Sequence, residues 1–243
     1  MQQFFTKKNV FLISSLIVIL SAFFISLIEY KDEYALISMF FMIFLSFPTY
    51  YFFIKKHNKL NAIKIIVFLS LLSMVIETIG ILTGFPYGYF NYTNKLGPKI
   101  FVIPITLSFG FVPLVIASWY LVDNLKLKNI LNKIIIGTLL LVIFDLVIDP
   151  GAVALNFWEW DVKGFYYGIP FSNFLGWIFT SFISMSIIFY LMKEKANSIY
   201  LIYTAFIGNL FWLTVVIINK MIIPSIIGLI LMVYMIIKIK EKN

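Results

Sequence analysis

The sequence predicts an all-α fold, a polytopic transmembrane helical bundle of about eight spans, on three observations. Hydrophobic residues make up 62% of the 243 residues and charged residues 12%, whereas a water-soluble domain carries roughly a quarter charged residues. The apolar residues fall in runs of about 20, the length at which a helix crosses a hydrocarbon core. Lysines gather at or near the ends of those runs, where a charged side chain reaches water or lipid headgroups.

Eight runs can be marked: Val10–Ile28, Tyr34–Ile54, Ala62–Thr83, Phe101–Val122, Ile130–Asp149, Asn173–Met192, Ser198–Ile218 and Met221–Ile239. Asn219 and Lys220 alone separate the last two, with Pro224 just after, so these form a tight hairpin or one broken span. Met1–Lys8 is a short basic segment with no evident cleavable signal, and the run after it is long enough to stay as a span. No repeat or low-complexity linker divides the chain, which reads as one domain over residues 1–243.

The net charge is +8, and every basic residue is lysine. With the N-terminus in the cytoplasm, fourteen of the 19 lysines fall on the cytoplasmic side. The other side holds Lys31, Lys95, Lys99, Lys163 and Lys220. Eight spans then place both termini in the cytoplasm, as the bias toward positive cytoplasmic loops requires. Such a distribution belongs to a multi-pass cell-membrane protein facing lipid, and it argues against nucleic acid as a partner. There are no cysteines and one histidine, His57. Disulfides, thiolate sites and a histidine metal centre are therefore excluded, and no metal site is expected.

Three acids interrupt the runs: Glu77, Asp145 and Asp149. An ionisable group within a span costs at least a few kcal/mol and marks function by default. In the predicted orientation all three reach a similar depth near the non-cytoplasmic surface. Asp145 and Asp149, four apart, share a helix face. Like charges there repel unless a proton or hydrogen bonds intervene. One reading is a carboxyl cluster in a low-dielectric pocket, with one member protonated as an acid and another acting as a base on water. The plainer reading pairs the acids with Lys95, Lys99 or loop amides, with Asp149 capping the helix end before Pro150.

Two long connections, Gly84 to Ile100 and Pro150 to Ser172, lie on that same side. They carry Tyr87, Tyr89, Tyr92, Trp158, Trp160, Tyr166 and Tyr167 among many Gly and Pro residues, with Asn173 and Trp177 just beyond. Interfacial enrichment explains part of this aromatic content. The glycines and prolines fix special backbone geometry, so the loops read as folded, as a lid. Aromatic faces stabilise cations, and acids, aromatic faces and a lipid-facing location together suit an enzyme acting on isoprenoid double bonds. No Gly-rich phosphate loop or dinucleotide fingerprint is present. Asp145-x-x-x-Asp149 is similar to one magnesium motif of prenyltransferases, but the partner acidic motif and the arginines for a diphosphate are missing.

The chain resembles the carotenoid biosynthesis membrane protein family, which includes carotenoid 1′,2′-hydratases and archaeal bisanhydrobacterioruberin hydratases. The resemblance rests on Glu77-x-x-Gly80, Gly84-Phe-Pro-Tyr-Gly88-x-Tyr-x-Tyr, Leu96-Gly-Pro98, Asp145-x-x-x-Asp149-Pro150, Trp158-x-Trp160 and Gly164-x-Tyr-Tyr-Gly-Ile-Pro170-x-x-Asn173-x-x-Gly176-Trp177. These span residues 77–177. The resemblance implies hydration of a terminal double bond of an acyclic carotenoid or related polyprenyl lipid, without a redox cofactor. On that reading a neutral carboxyl, Asp145 or Glu77, protonates the alkene. The loop tyrosines and tryptophans shield the tertiary cation, and a water oriented by Asp149 or Asn173 completes the alcohol. Three alternatives remain open: an isoprenoid cyclase, a modifier of a non-carotenoid polyprenyl lipid, and a proton-coupled transporter using the acids as a relay.

Overall fold

Within a hydrocarbon layer no water satisfies backbone N–H and C=O groups, so each long apolar run must coil into a helix. The computed structural model describes residues 7–28 and 31–241. Residues 1–6 of the basic N-terminal segment, and Lys242, lie outside the described residues. Among the described residues there are eight α-helices: α1 (Lys7–Leu27), α2 (Ala35–Lys56), α3 (Lys59–Thr83), α4 (Leu107–Asp123), α5 (Ile130–Ala154), α6 (Phe171–Leu191), α7 (Tyr203–Ile218) and α8 (Ile222–Lys240). Six are long and apolar enough to cross a membrane, α7 together with the 3-10 turn at Ile199–Ile202 that leads into it, and α4 and the apolar part of α1 are somewhat shorter. The last two runs are two helices joined at Asn219–Met221, with Lys220 at φ 57° making the tight turn.

Helix α4 is the axis. It is buried without a break from Phe111 to Val122 and packs on α2, α3, α5, α6 and α7. Around it the helices approach through small residues: a side chain on Gly137 of α5 would collide with Met185 of α6, the close packing on which helix association in lipid depends. Helix α1 stands outermost and leans on α7, with Phe11 edge-on to Tyr203 and Phe206 at 5.2 and 5.4 Å.

Two departures from the hydropathy reading open or furnish space at the end of the bundle that carries the long loops. The run from Phe101 begins not as helix but as a hairpin, in which β2 (Lys99–Ile100) pairs with β3 (Ile103–Pro104). Phe101 turns at φ 55°, and α4 starts only at Leu107. The six residues lost from its start leave about 9 Å of the bundle's axis without a central helix. Helix α5, by contrast, runs past Asp149 and through Pro150 to Ala154, so Asp149 lies within the helix and does not cap its end. Proline at 150 cannot donate to the carbonyl four residues back. That carbonyl, Leu146 O, is instead taken by the Tyr166 hydroxyl at 2.8 Å. Tyr166→Phe leaves Leu146 O without this donor and is expected to cost about 1–3 kcal/mol of stability, read as a lower melting temperature in detergent.

The long loops meet over the same end. Strands β1 (Phe90–Tyr92) and β4 (Trp158–Trp160) form an antiparallel ribbon, with Phe90 opposite Trp160 and Tyr92 opposite Trp158. Side chains alternate along a strand, so these four rings share one face while Asn91 and Glu159 point to the other. Phe90 lies 4.9 Å from Trp160, and Tyr92 5.7 Å from Trp158, between ring centroids.

Candidate active site

Under the aromatic ribbon, in the space that the shortened α4 leaves open, lies a cavity of about 480 Å³. Its floor is Thr106 and the first turns of α4, including Gly110 and Phe111. Helices α1, α2, α3, α5, α6 and α7 form its walls, and Phe90, Tyr92, Trp158 and Trp160 its roof. Phe24 of α1, Ile28 just after it and Ile37 of α2 both line it and stand on the outer surface, at 56, 60 and 63% exposure. The chamber therefore opens sideways between α1 and α2, through a mouth of apolar side chains.

Two acids line this chamber from different helices, Glu77 of α3 and Asp149 of α5. They are close enough to interact electrostatically. Glu77 lies under two turns before α3 ends at Gly84, whose φ of 77° suits a residue without a side chain. Its Oε2 accepts from the Tyr92 hydroxyl at 3.2 Å. Burial, and the Glu77 carboxyl beside it, push the Tyr92 phenol well above its ordinary pKa, so Tyr92 stays a neutral donor across the physiological range. Tyr92→Phe is expected to cut turnover about three- to tenfold, the loss of one such bond, in a steady-state assay.

Asp149 is nearly fully buried. Its Oδ2 accepts a hydrogen bond from Asn173 Nδ2. Asp145 does not line the chamber. It sits one turn deeper, fully buried, where Asn173 Nδ2 also reaches its Oδ2 at 3.1 Å. The amide of α6 thus holds both carboxyls of α5, and Asp145 Oδ1 meets no donor among the described residues. The lysines take no part: Lys95 Nζ donates to Leu155 O at 3.2 Å and Lys99 Nζ to Tyr92 O at 2.5 Å. Pairing of the acids with Lys95 or Lys99 is therefore not what the fold does, and these lysines fasten loop backbone instead.

Tyr87 lines the chamber through an unusual fit. Its ring enters between α3 and α6, where a side chain on Gly80 would meet it at 2.9 Å and one on Gly176 would overlap it. Its hydroxyl bonds Thr180 Oγ1 at 2.6 Å. Of the other aromatic residues named from sequence, Tyr92, Trp158, Trp160 and Trp177 line the chamber, as does Asn173. Tyr89, Tyr166 and Tyr167 do not. Tyr89 is 54% exposed and covers Gly84. Tyr166 holds Leu146 O of α5, and the Tyr167 hydroxyl accepts from Ile223 N at 3.3 Å. Sequence reasoning missed the walls from α1, α2 and α7, including Ser21, Met42, Gly208 and Asn209. Single residues in apolar helices carry no motif. The isolation of Asn209, a carboxamide in a membrane run, was the one available signal. Among the described residues no three side chains gather as a metal site.

Residues 33–235 match the family described as carotenoid biosynthesis protein. Over 126 residues the chain is 37% identical to a bisanhydrobacterioruberin hydratase of Haloarcula japonica, a match covering 49% of this chain and 42% of that protein. The chain thus spans about two-fifths of the length of the curated relative it matches. No solved structure matches.

Proposed function

The chain belongs to the carotenoid biosynthesis protein family, and from that premise and the chamber's geometry we propose that it adds water to a terminal double bond of an acyclic carotenoid or closely related polyprenyl lipid. The observation that carries this reading is the meeting of Glu77 and Asp149, from two helices, on one aromatic chamber open to the lipid side.

The isoprenoid end enters between α1 and α2 and lies under the ribbon. Glu77, in its protonated form, gives its proton to the less substituted alkene carbon, and the π pair forms the new C–H bond. The tertiary carbon becomes cationic. The faces of Tyr92, Trp158, Trp160 and Trp177 stabilise it, as ring quadrupoles do for any cation, and do so more effectively away from bulk water. A water then bonds to that carbon and releases a proton to Asp149, and return of this proton to Glu77 through chamber water restores the starting state. Asp145, set back from the chamber, is a positioning group: through Asn173 it fixes how Asp149 is held. Glu77 is preferred over Asp145 as the acid because it alone of the two reaches the chamber. Asn173, with Nδ2 committed to both carboxyls, is a clamp on Asp149 more than a ligand for water. With the predicted orientation, this chemistry takes place near the extracytoplasmic surface of the cell membrane and both termini lie in the cytoplasm.

The test is expression in a host that accumulates lycopene, followed by mass spectrometry of its pigments. A gain of one water supports hydration. An unchanged mass with altered retention means cyclisation, and unchanged pigment contradicts both. A second test addresses the chamber itself. A Cβ on Gly208 would meet nothing within 4 Å, so Gly208→Leu fills free space without strain. It is expected to lower turnover at least about tenfold with an unchanged melting temperature.

A further inference from the structure

The chamber cannot enclose a whole carotenoid. Its volume, about 480 Å³, is that of a pocket that takes a drug-sized molecule, and an acyclic carotenoid is a long, stiff polyene that cannot fold up inside it. The bundle axis offers the remainder no path, because α4 is buried without a break from Phe111 to Val122. The remainder of the chain must therefore lie across the sideways mouth. There the two helices each present one stripe at helical spacing. Helix α1 rests on α7 through one face, with Val18 and Ala22 fully buried and Ala22 in a cluster with Leu155, Phe157 and Val215. Its adjacent stripe, Ser21, Phe24 and Ile25, continued by Ile28, lines the chamber. From α2 the facing stripe is Ile37, Ser38, Phe41 and Leu45. Residues three and four apart on a helix lie side by side, so each stripe is a continuous strip leading from the chamber to the outer surface. Neither carries a charged side chain, and the Ser21 hydroxyl is given to Ile17 O of its own helix at 2.8 Å. Such strips hold a chain by apolar contact, which is non-directional and scales with area. They provide no feature that marks where the chain stops.

We infer that the cleft between α1 and α2 is a second subsite, in which the stem of the isoprenoid chain lies while its end occupies the chamber. The protein then selects the end of the chain and not the length beyond the cleft. The inference deepens the proposed function and rests on it for the identity of the occupant.

The experiment uses the full chain in lipid nanodiscs. The sequence has no cysteine, so Ile37→Cys carries a single benzophenone maleimide, which light couples to whatever C–H bond lies against it. The nanodiscs contain either a triterpene or a monoterpene hydrocarbon with the same dimethyl alkene end, and mass spectrometry identifies the adduct. The triterpene is expected on the label at Ile37→Cys, the enclosed monoterpene much less, and phospholipid alone on a control label at Ile230→Cys, an exposed position of α8. Should Ile37→Cys fail to fold, Phe24→Cys carries the label on the opposite side of the cleft. In a second arm the unlabelled wild type hydrates mixed tri- and tetraterpene and longer polyprenyl hydrocarbons, whose product ratios give the ratios of kcat/KM. These are expected to agree within about twofold, with the monoterpene at least about tenfold lower for want of the apolar contact of the stem. Triterpene adducts from a protein that hydrates none of the hydrocarbons would sustain the subsite while removing the hydratase reading. Phospholipid as the sole adduct in the cleft, or a preference above about tenfold for one of the longer chains, would overturn the inference.

Discussion

Asp149→Asn is expected to lower turnover of a terminal alkene by about 10²–10⁴-fold, the usual range for removal of a positioned acid or base. The amide is nearly isosteric, so the chamber keeps its shape, but it cannot accept the proton that water must lose. Glu77→Gln removes the other end of the transfer and is expected to fall in the same range. Asp145→Asn should be milder, because Asp145 acts through Asn173 and does not touch the substrate. Initial rates of the three variants, with melting temperatures as the control for folding, check this order. Near wild-type rates for both Asp149→Asn and Glu77→Gln would remove the proton-transfer scheme.

Asn173→Leu is expected to have the second large effect, on stability and activity together. Its one amide nitrogen satisfies Asp145 and Asp149, and leucine leaves two buried carboxyls without that donor. Hydrogen bonds to such groups contribute about 1.5–3 kcal/mol each, so a loss of about 2–5 kcal/mol is expected, with turnover down at least about tenfold. Thermal melting in detergent and steady-state rates measure the two. An unchanged melting temperature would mean that the carboxyls find other donors and that the clamp is not structural.

The helices were largely legible because the hydrocarbon layer imposes one rule on every apolar run. The rule misled at residues 101–106. There Phe-Val-Ile-Pro-Ile-Thr is as apolar as a span, yet Pro104 disfavours helix at the residue before it, and hydropathy does not distinguish buried loop from helix. That error hid the chamber, since the chamber is the space where α4 is missing. The depth of Glu77, Asp145 and Asp149 was legible from charge within apolar runs. That only Asp149 of the two lines the chamber, although Asn173 of α6 holds both, depends on how deep the chamber reaches along α5, which its uniformly apolar surface does not reveal. Among the tyrosines, strand alternation could have separated Tyr92, on the same face as Phe90, from Tyr89, on the opposite one. Recognising that face requires knowing that residues 90–92 pair with 158–160, a contact across the whole of α4 and α5. The motif glycines Gly80 and Gly176 were visible as motifs, but their purpose, a slot for the Tyr87 ring, appears only once α3 and α6 are side by side.

The central claim is that chamber carboxyls move a proton onto an alkene and solvent water supplies the oxygen. Its most direct test is turnover of an acyclic carotenoid by the purified protein in water labelled with heavy oxygen, and separately in deuterated water. The account predicts an alcohol carrying solvent oxygen, with a single non-exchangeable deuterium on the carbon next to the new C–O bond. An alcohol without solvent oxygen, or a product of unchanged mass, would contradict it.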